Sequence, residues 1–251
     1  MTAPAEAGPL ARWLPFPPSD DGVRLYCFPH AGGSASTFRT WTGRIPGVAL
    51  YPLQPPGRET RIREEPFRAL GPMVAELADV VLCGGSAPYA LYGHSLGGLV
   101  AFEVAREIRR RGAPQPSHLI VSGCAAPDHD PGDTPSVADL DDPRTVEVLR
   151  RLGGTPEWVL RDPSALGMIL PPFRSDFAVK ESHRYLPEPP LDLPVTVLAA
   201  TRDPQVPLES TAGWHRQTRA EFRRHLLEGG HFAALQQTAP THRYISEALH
   251  P

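Results

Sequence analysis

The sequence predicts an α/β fold: a mostly parallel sheet with helices on both faces and an inserted helical segment. Two observations carry that prediction. Short apolar runs rich in β-branched and aromatic residues alternate with stretches of helical periodicity, which is how parallel strands joined by crossover helices read. One of those runs, Tyr89-Ala90-Leu91-Tyr92, leads into Gly93-His94-Ser95-Leu96-Gly97, a G-x-S-x-G turn followed by a helical pattern. The length of 251 residues suits one large domain with an ample core.

Residues 1–10 are expected to be loose. Val23 to Phe28 reads as a buried strand and is followed by the loop Pro29-His30-Ala31-Gly32-Gly33. Val48 to Leu53 is a second strand, followed by Pro55-Pro56-Gly57-Arg58-Glu59. From Phe67 to Leu82 the residues Leu70, Met73, Val74, Leu77, Val80 and Val81 repeat at helical spacing. The strand at 89–92 and the turn come next. After the turn, Leu96, Val100, Val104 and Ile108 lie four apart, on one face of a helix. His118 to Cys124, Pro194 to Ala200 and Phe222 to Leu227 complete the strands, and a final helix covers about Thr241 to Leu249.

Between Pro127 and about Pro190 the alternation breaks. The segment is acidic at first (Asp128, Asp130, Asp133, Asp139, Asp141, Asp142), then short and helix-like. It lies between two core strands, so it is expected to be an insertion overhanging the strand ends. The expected division is a core of residues 1–126 and 191–251 and a lid subdomain of residues 127–190.

Composition narrows the function classes. Hydrophobic residues make up 41%, charged residues 21%, and the net charge is −3, which fits neither a nucleic-acid binder nor a disordered chain. Cys27, Cys83 and Cys124 are odd in number and far apart, with no C-x-x-C, so they are expected to be buried reduced thiols. Asp128-His129-Asp130 lacks the spaced partners of a metal site and reads as a solvated loop. Neither a signal-peptide pattern nor an apolar run of membrane-spanning length is visible, so a cytoplasmic location is expected.

A serine hydroxyl is a weak nucleophile at neutral pH. It needs a base within hydrogen-bond reach, and the base needs an orienting acid. Asp203 follows the strand at 194–200, and His231 sits in Gly229-Gly230-His231-Phe232 after the last strand. Ser95, Asp203 and His231 thus occur in the chain order of an α/β-hydrolase. Asp203 also reads as a turn aspartate capping the next helix. Asp176 and Asp192 compete with it less well, because neither follows a recognisable core strand. His94 is expected to face away from the reacting carbonyl, and His30 to shape its loop. The oxyanion requires backbone N–H donors. Leu96, at the start of a helix, is one; Ala31 is the expected second, with Gly32 as the alternative.

With these residues in place, the chain resembles the type II thioesterases that accompany polyketide and non-ribosomal peptide synthases. The resemblance runs from Phe28-Pro29-His30-Ala31-Gly32-Gly33 to Gly229-Gly230-His231-Phe232. It takes in Pro56-Gly57-Arg58-Glu59, the serine turn with Ala101-Phe102-Glu103-Val104-Ala105-Arg106 behind it, and Arg174-Ser175-Asp176-Phe177. It implies an α/β-hydrolase core with a mobile helical lid, with Ser95, Asp203 and His231 on the family's triad and Ala31 and Leu96 on its oxyanion donors. It also implies hydrolysis of stalled or wrong acyl groups from the phosphopantetheine thiol of acyl or peptidyl carrier proteins. The phosphopantetheine arrives on the carrier, so no cofactor of the chain's own, no nucleic acid and no membrane is implied, and a monomer is expected. Leu96-Gly97-Gly98 and Phe173-Arg174-Ser175-Asp176 depart mildly from the family's usual residues and bear on the acyl pocket. Arg58, Arg61, Arg63 and Arg68, or Arg109-Arg110-Arg111, are candidates to meet an acidic carrier, or else simply solvated surface. A small-molecule esterase, a medium-chain fatty acyl thioesterase and an acyltransferase share the same serine chemistry. They are separated by substrate and product.

Overall fold

The computed structural model describes residues 9–16, 22–85, 87–130, 132 and 136–250. Most of the N-terminal stretch expected to be loose, and Asp133 of the acidic segment, lie outside these residues. Pro9 and Leu10 correct the expectation where it can be compared. They belong to helix α1 (Pro9–Trp13), whose Trp13 is 1% exposed, packs on Phe67 and donates its indole N–H to Glu76.

The chain continues through β1 (Val23–Phe28), a 3-10 helix (Ala35–Trp41), β2 (Val48–Pro52) and α2 (Leu70–Cys83). Next come β3 (Tyr89–His94), α3 (Leu96–Arg110) and β4 (Leu119–Ser122), then the insertion helices α4 (Asp142–Leu152), α5 (Glu157–Leu160) and α6 (Pro163–Glu181). It closes with β5 (Val195–Ala200), α7 (Leu208–Thr211), β6 (Phe222–Leu227), α8 (Ala233–Gln236) and α9 (Thr238–Leu249). The six strands form one sheet in the order β2-β1-β3-β4-β5-β6, and every pairing is parallel.

Strand periodicity sorts side chains between two cores. Tyr26, Phe28, Leu91, Leu119, Val121, Val195, Val197 and Ala199 join α2, α3, Trp13 and Trp214 on one face. Leu25, Cys27, Ala90, Tyr92, Ile120, Leu198 and Ala200 meet Phe38, Trp41, Ile45, α8 and α9 on the other. Strands buried on both faces read as continuous apolar runs, as β4 and β5 do. Leu149, Leu160, Leu170 and Phe173 form a third, smaller cluster within the insertion.

The six apolar residues that mark α2 in the sequence are all buried. The helix starts at Leu70 rather than Phe67 because Ala69 offers no side-chain cap; the Leu70 N–H donates instead to Ser182 Oγ, from the end of α6. The last helix starts at Thr238, before the expected Thr241, because Pro240 falls in its first turn, where a missing N–H costs little. The insertion is less fragmentary than expected. α6 is 19 residues long and runs through Pro171 and Pro172. No helix among the described residues is long and apolar enough to cross a membrane.

Candidate active site

The turn at Ser95 is tight. Ser95 has φ 55°, an uncommon conformation for a residue with a side chain. It is held there by its N–H donating to Ser122 O at 2.8 Å and its C=O accepting from the Gly98 N–H at 2.9 Å. The flanking glycines are sterically required: a Cβ at Gly93 would strike the Gly97 carbonyl, and one at Gly97 the Phe28 carbonyl. The strand–turn–helix therefore closes on β1, and Leu96 is the first residue of α3.

Three side chains distant in sequence meet at the C-terminal edge of the sheet. Ser95 Oγ lies 3.0 Å from His231 Nε2, and His231 Nδ1 lies 2.8 Å from Asp203 Oδ2. Asp203 serves both of the uses open to it in the sequence. Its Oδ1 accepts from the N–H groups of Gln205 and Val206, while Oδ2 faces the imidazole. The backbone bonds fix the carboxylate, and the carboxylate orients the ring. Asp192 is remote from this cluster and lies 3.8 Å from Arg219.

Two further histidines lie beside this cluster, one against His231 and the other against the first. His94 is fully buried, with Nδ1 2.8 Å from Ser122 Oγ, which in turn meets the Tyr92 hydroxyl at 2.7 Å. Its ring centroid is 5.2 Å from that of His231. His30 lies edge-on to both His94 and Phe232, and its carbonyl accepts from the Gly33 N–H. Burial, with the positive charge His231 can carry as a lesser cause, holds His94 well below the usual imidazole range. The same causes in the same order, with the Arg58 guanidinium third, bring His30 to about 4. Both rings are therefore neutral at neutral pH. Cys124 packs beside Gly98, but burial pushes its thiol up to about 12, so it supplies no thiolate.

In the loop after β1, Gly32 donates its N–H to Asp176 Oδ2 at 2.7 Å and Gly33 donates to the His30 carbonyl. The alternative oxyanion donor, Gly32, is thus already engaged. Among the described residues, the N–H of Ala31 has no protein acceptor. Asp176 pairs with Arg58, each less than a tenth exposed, an arrangement the sequence does not announce because 118 positions separate the partners. Phe173 packs over Gly32, and Gly154 (φ 83°) lies so close to the Phe232 ring that a Cβ there would clash. The insertion thus touches both the loop after β1 and the residue that follows His231.

Several expectations are corrected. Arg58 and Arg61 are 6% and 5% exposed, so they are not a docking surface. Arg61 pairs with Glu64 and stacks on Trp13. Arg109, Arg110 and Arg111 are tied to Glu188, Glu107 and Asp79. Arg63 and Arg68 remain exposed. Cys83 is exposed, unlike Cys27 and Cys124, because it ends α2 on its outer side. Asp128 is engaged by Arg216 rather than simply solvated.

A family model described as a thioesterase domain matches residues 23–248. The thioesterase PikA5 of Streptomyces venezuelae is 40% identical over 230 residues, covering 89% of this chain and 79% of that protein. Among solved structures, the RedJ thioesterase from the prodiginine biosynthetic pathway of Streptomyces coelicolor superposes with a TM-score of 0.84 at 36% identity. It covers 95% of this chain and 99% of its own. The type II thioesterase BorB from the borrelidin biosynthetic cluster has a TM-score of 0.85 at 32% identity, covering 94% and 97%.

Proposed function

The chain belongs to the thioesterase domain family, as a type II thioesterase of the kind found with polyketide and non-ribosomal peptide synthases, and from that premise we propose its reaction. It hydrolyses acyl groups, stalled or wrong, from the phosphopantetheine arm of acyl or peptidyl carrier proteins. The observation that carries this reading is the continuous chain from Ser95 Oγ through His231 to Asp203, with contacts of 3.0 and 2.8 Å.

His231 Nδ1 donates to Asp203, which leaves Nε2 as the acceptor for the Ser95 proton. Ser95 Oγ attacks the thioester carbonyl while Nε2 takes that proton. The N–H groups of Ala31 and Leu96 receive the developing oxyanion, and the N-terminus of α3 adds its dipole. The tetrahedral adduct collapses, the C–S bond breaks, and the imidazolium returns its proton to the departing thiolate. Water then attacks the acyl-serine with His231 again as base, releasing a carboxylic acid and restoring Ser95.

Residues 127–190 act as a lid in this reading. Gly154 stands against Phe232, beside His231, and this contact must open for an acyl chain to enter, whereas Phe173 and Asp176, past Pro172, stay on the loop after β1. Pro171 and Pro172 supply no N–H to the carbonyls one turn earlier, which weakens α6 at that point and makes it the pivot.

The test is acyl release from a loaded carrier protein, with a simple oxyester as comparator. Ser95→Ala should lose about 10^3-fold or more of turnover, and a fluorophosphonate should label the wild-type protein at Ser95 alone. Wild-type turnover in Ser95→Ala would reject the mechanism. A preference for the oxyester would reject the substrate.

A further inference from the structure

Asp176 is not one of the three residues that meet at the serine, yet its carboxylate is spent on the loop beside them. Oδ2 accepts from the Gly32 N–H at 2.7 Å and from Arg58 Nη1 at 2.5 Å, and Oδ1 accepts from Arg58 Nη2 at 2.8 Å. Arg58 Nη1 also donates to the Gly33 carbonyl at 3.1 Å, and Nε donates to Pro56 O at 3.2 Å. The acid and the base therefore grip the same loop from both polarities, one taking the N–H of Gly32 and the other the C=O of Gly33. The fully buried Gln54 ties Arg58 in turn, donating to the Arg58 carbonyl at 3.2 Å and accepting from the Ala35 N–H at 3.3 Å.

We infer that the buried Arg58–Asp176 pair is a positioning device for the oxyanion donor: by fixing Gly32 and Gly33, it sets the direction of the neighbouring Ala31 N–H. This inference rests on the proposed acyl-serine reaction. Gly32 has φ 76°, a conformation open to a glycine; the Gly33 N–H to His30 carbonyl bond closes this turn from within, and the pair fixes its outer side, where the Gly32 N–H and Gly33 carbonyl point. A charged pair removed from water is an inefficient way to gain stability, whereas its bidentate fork fixes geometry in a way an apolar contact cannot.

The placement of Asp176 on α6 adds a second consequence. Pro171 and Pro172 precede it, whereas Val179 is fully buried in the main core and Ser182 caps α2. Asp176 thus stands on the anchored side of the pivot. The outer lid can swing while the donor loop stays clamped.

The experiment compares a tetrahedral mimic with a ground-state mimic. Asp176→Asn and Arg58→Lys are assayed against an acyl thioester. They are also titrated with a trifluoromethyl ketone analogue, which forms an oxyanion on Ser95, and with a thioether analogue, which does not. Expected is a fall in kcat of about 10- to 100-fold with KM little changed, since a misdirected donor acts on the transition state. The inhibition constant of the ketone should rise by the same factor, and that of the thioether should not move. The inference is overturned if either variant melts within a few degrees of wild type and keeps kcat and ketone affinity within about twofold. If neither variant folds, the pair is structural and the inference is equally lost. Ser95→Ala run alongside separates the two levels. Full turnover there removes the underlying reaction, whereas loss of turnover there with unaffected Asp176→Asn removes this inference only.

Discussion

Asp203 shows how one residue meets two demands. Its turn-capping oxygen and its imidazole-facing oxygen are different atoms, so the local and the long-range use coexist. Asp203→Asn should keep the cap yet present an amide to His231, favouring the wrong tautomer. Turnover is expected to fall about 10^4-fold with the melting temperature little changed, read by steady-state kinetics beside thermal melting. The neutral histidines make a separate prediction. His30 and His118 are each brought to about 4, and His94 is also lowered, in every case chiefly by burial. An unfolded chain binds protons on these groups below about 6.5 while the folded chain does not. Between about pH 6.5 and 4 the unfolded state therefore carries more protons, and stability falls as pH falls. Each group contributes a slope of up to about 1.4 kcal/mol per pH unit. Urea denaturation at pH 7, 6 and 5 measures this. Equal stability at all three would contradict the buried neutral rings.

At the scale of elements, the insertion is held to the site by contacts that single substitutions can loosen. Gly154→Ala places a methyl against the Phe232 ring in a backbone conformation that favours glycine. It should cost about 1–2 kcal/mol and speed proteolysis within residues 142–172 relative to the sheet. Pro171 is exposed, so Pro171→Ala sacrifices little packing and restores an N–H for the Gly167 carbonyl. The expectation is a stiffer α6, slower proteolysis of the same region and a lower kcat/KM for carrier-bound substrates. Unchanged proteolysis in both variants would mean that neither feature controls the insertion. These elements were unevenly legible. The α2 periodicity named six of its seven buried apolar residues, all but Ala78, because one face of a helix is a local property. Its first turn was not legible, because the cap comes from Ser182, across the fold. The length of α6 is not legible, because a Pro171-Pro172 pair normally ends a helix. Packing of Leu170 and Phe173 on one side and Val179 on the other carries it through.

For the whole molecule, stability and chemistry are separable. α3 is buried along almost its whole length, wedged between the sheet, α2 and Trp214. Phe102→Ala removes a ring packed on Trp214, far from any reacting atom. It should cost about 3–5 kcal/mol in denaturant unfolding, with kcat per folded molecule unchanged. A matching loss of kcat would show that core packing and site geometry are not independent.

The sequence by itself determined the alternation of strands and helices, the strained serine turn, and the order of Ser95, Asp203 and His231. All of these follow from short-range rules of period, turn chemistry and strand-end position. Only the tertiary structure decided that Asp176 belongs to Arg58 and Gly32 rather than to a histidine, and that Arg58 and Arg61 are interior. It also decided that His94 sits against the ring it precedes by 137 positions in the chain. Charge pairing and burial depend on which loops the sheet order brings together, and no local pattern encodes the distance between two loops.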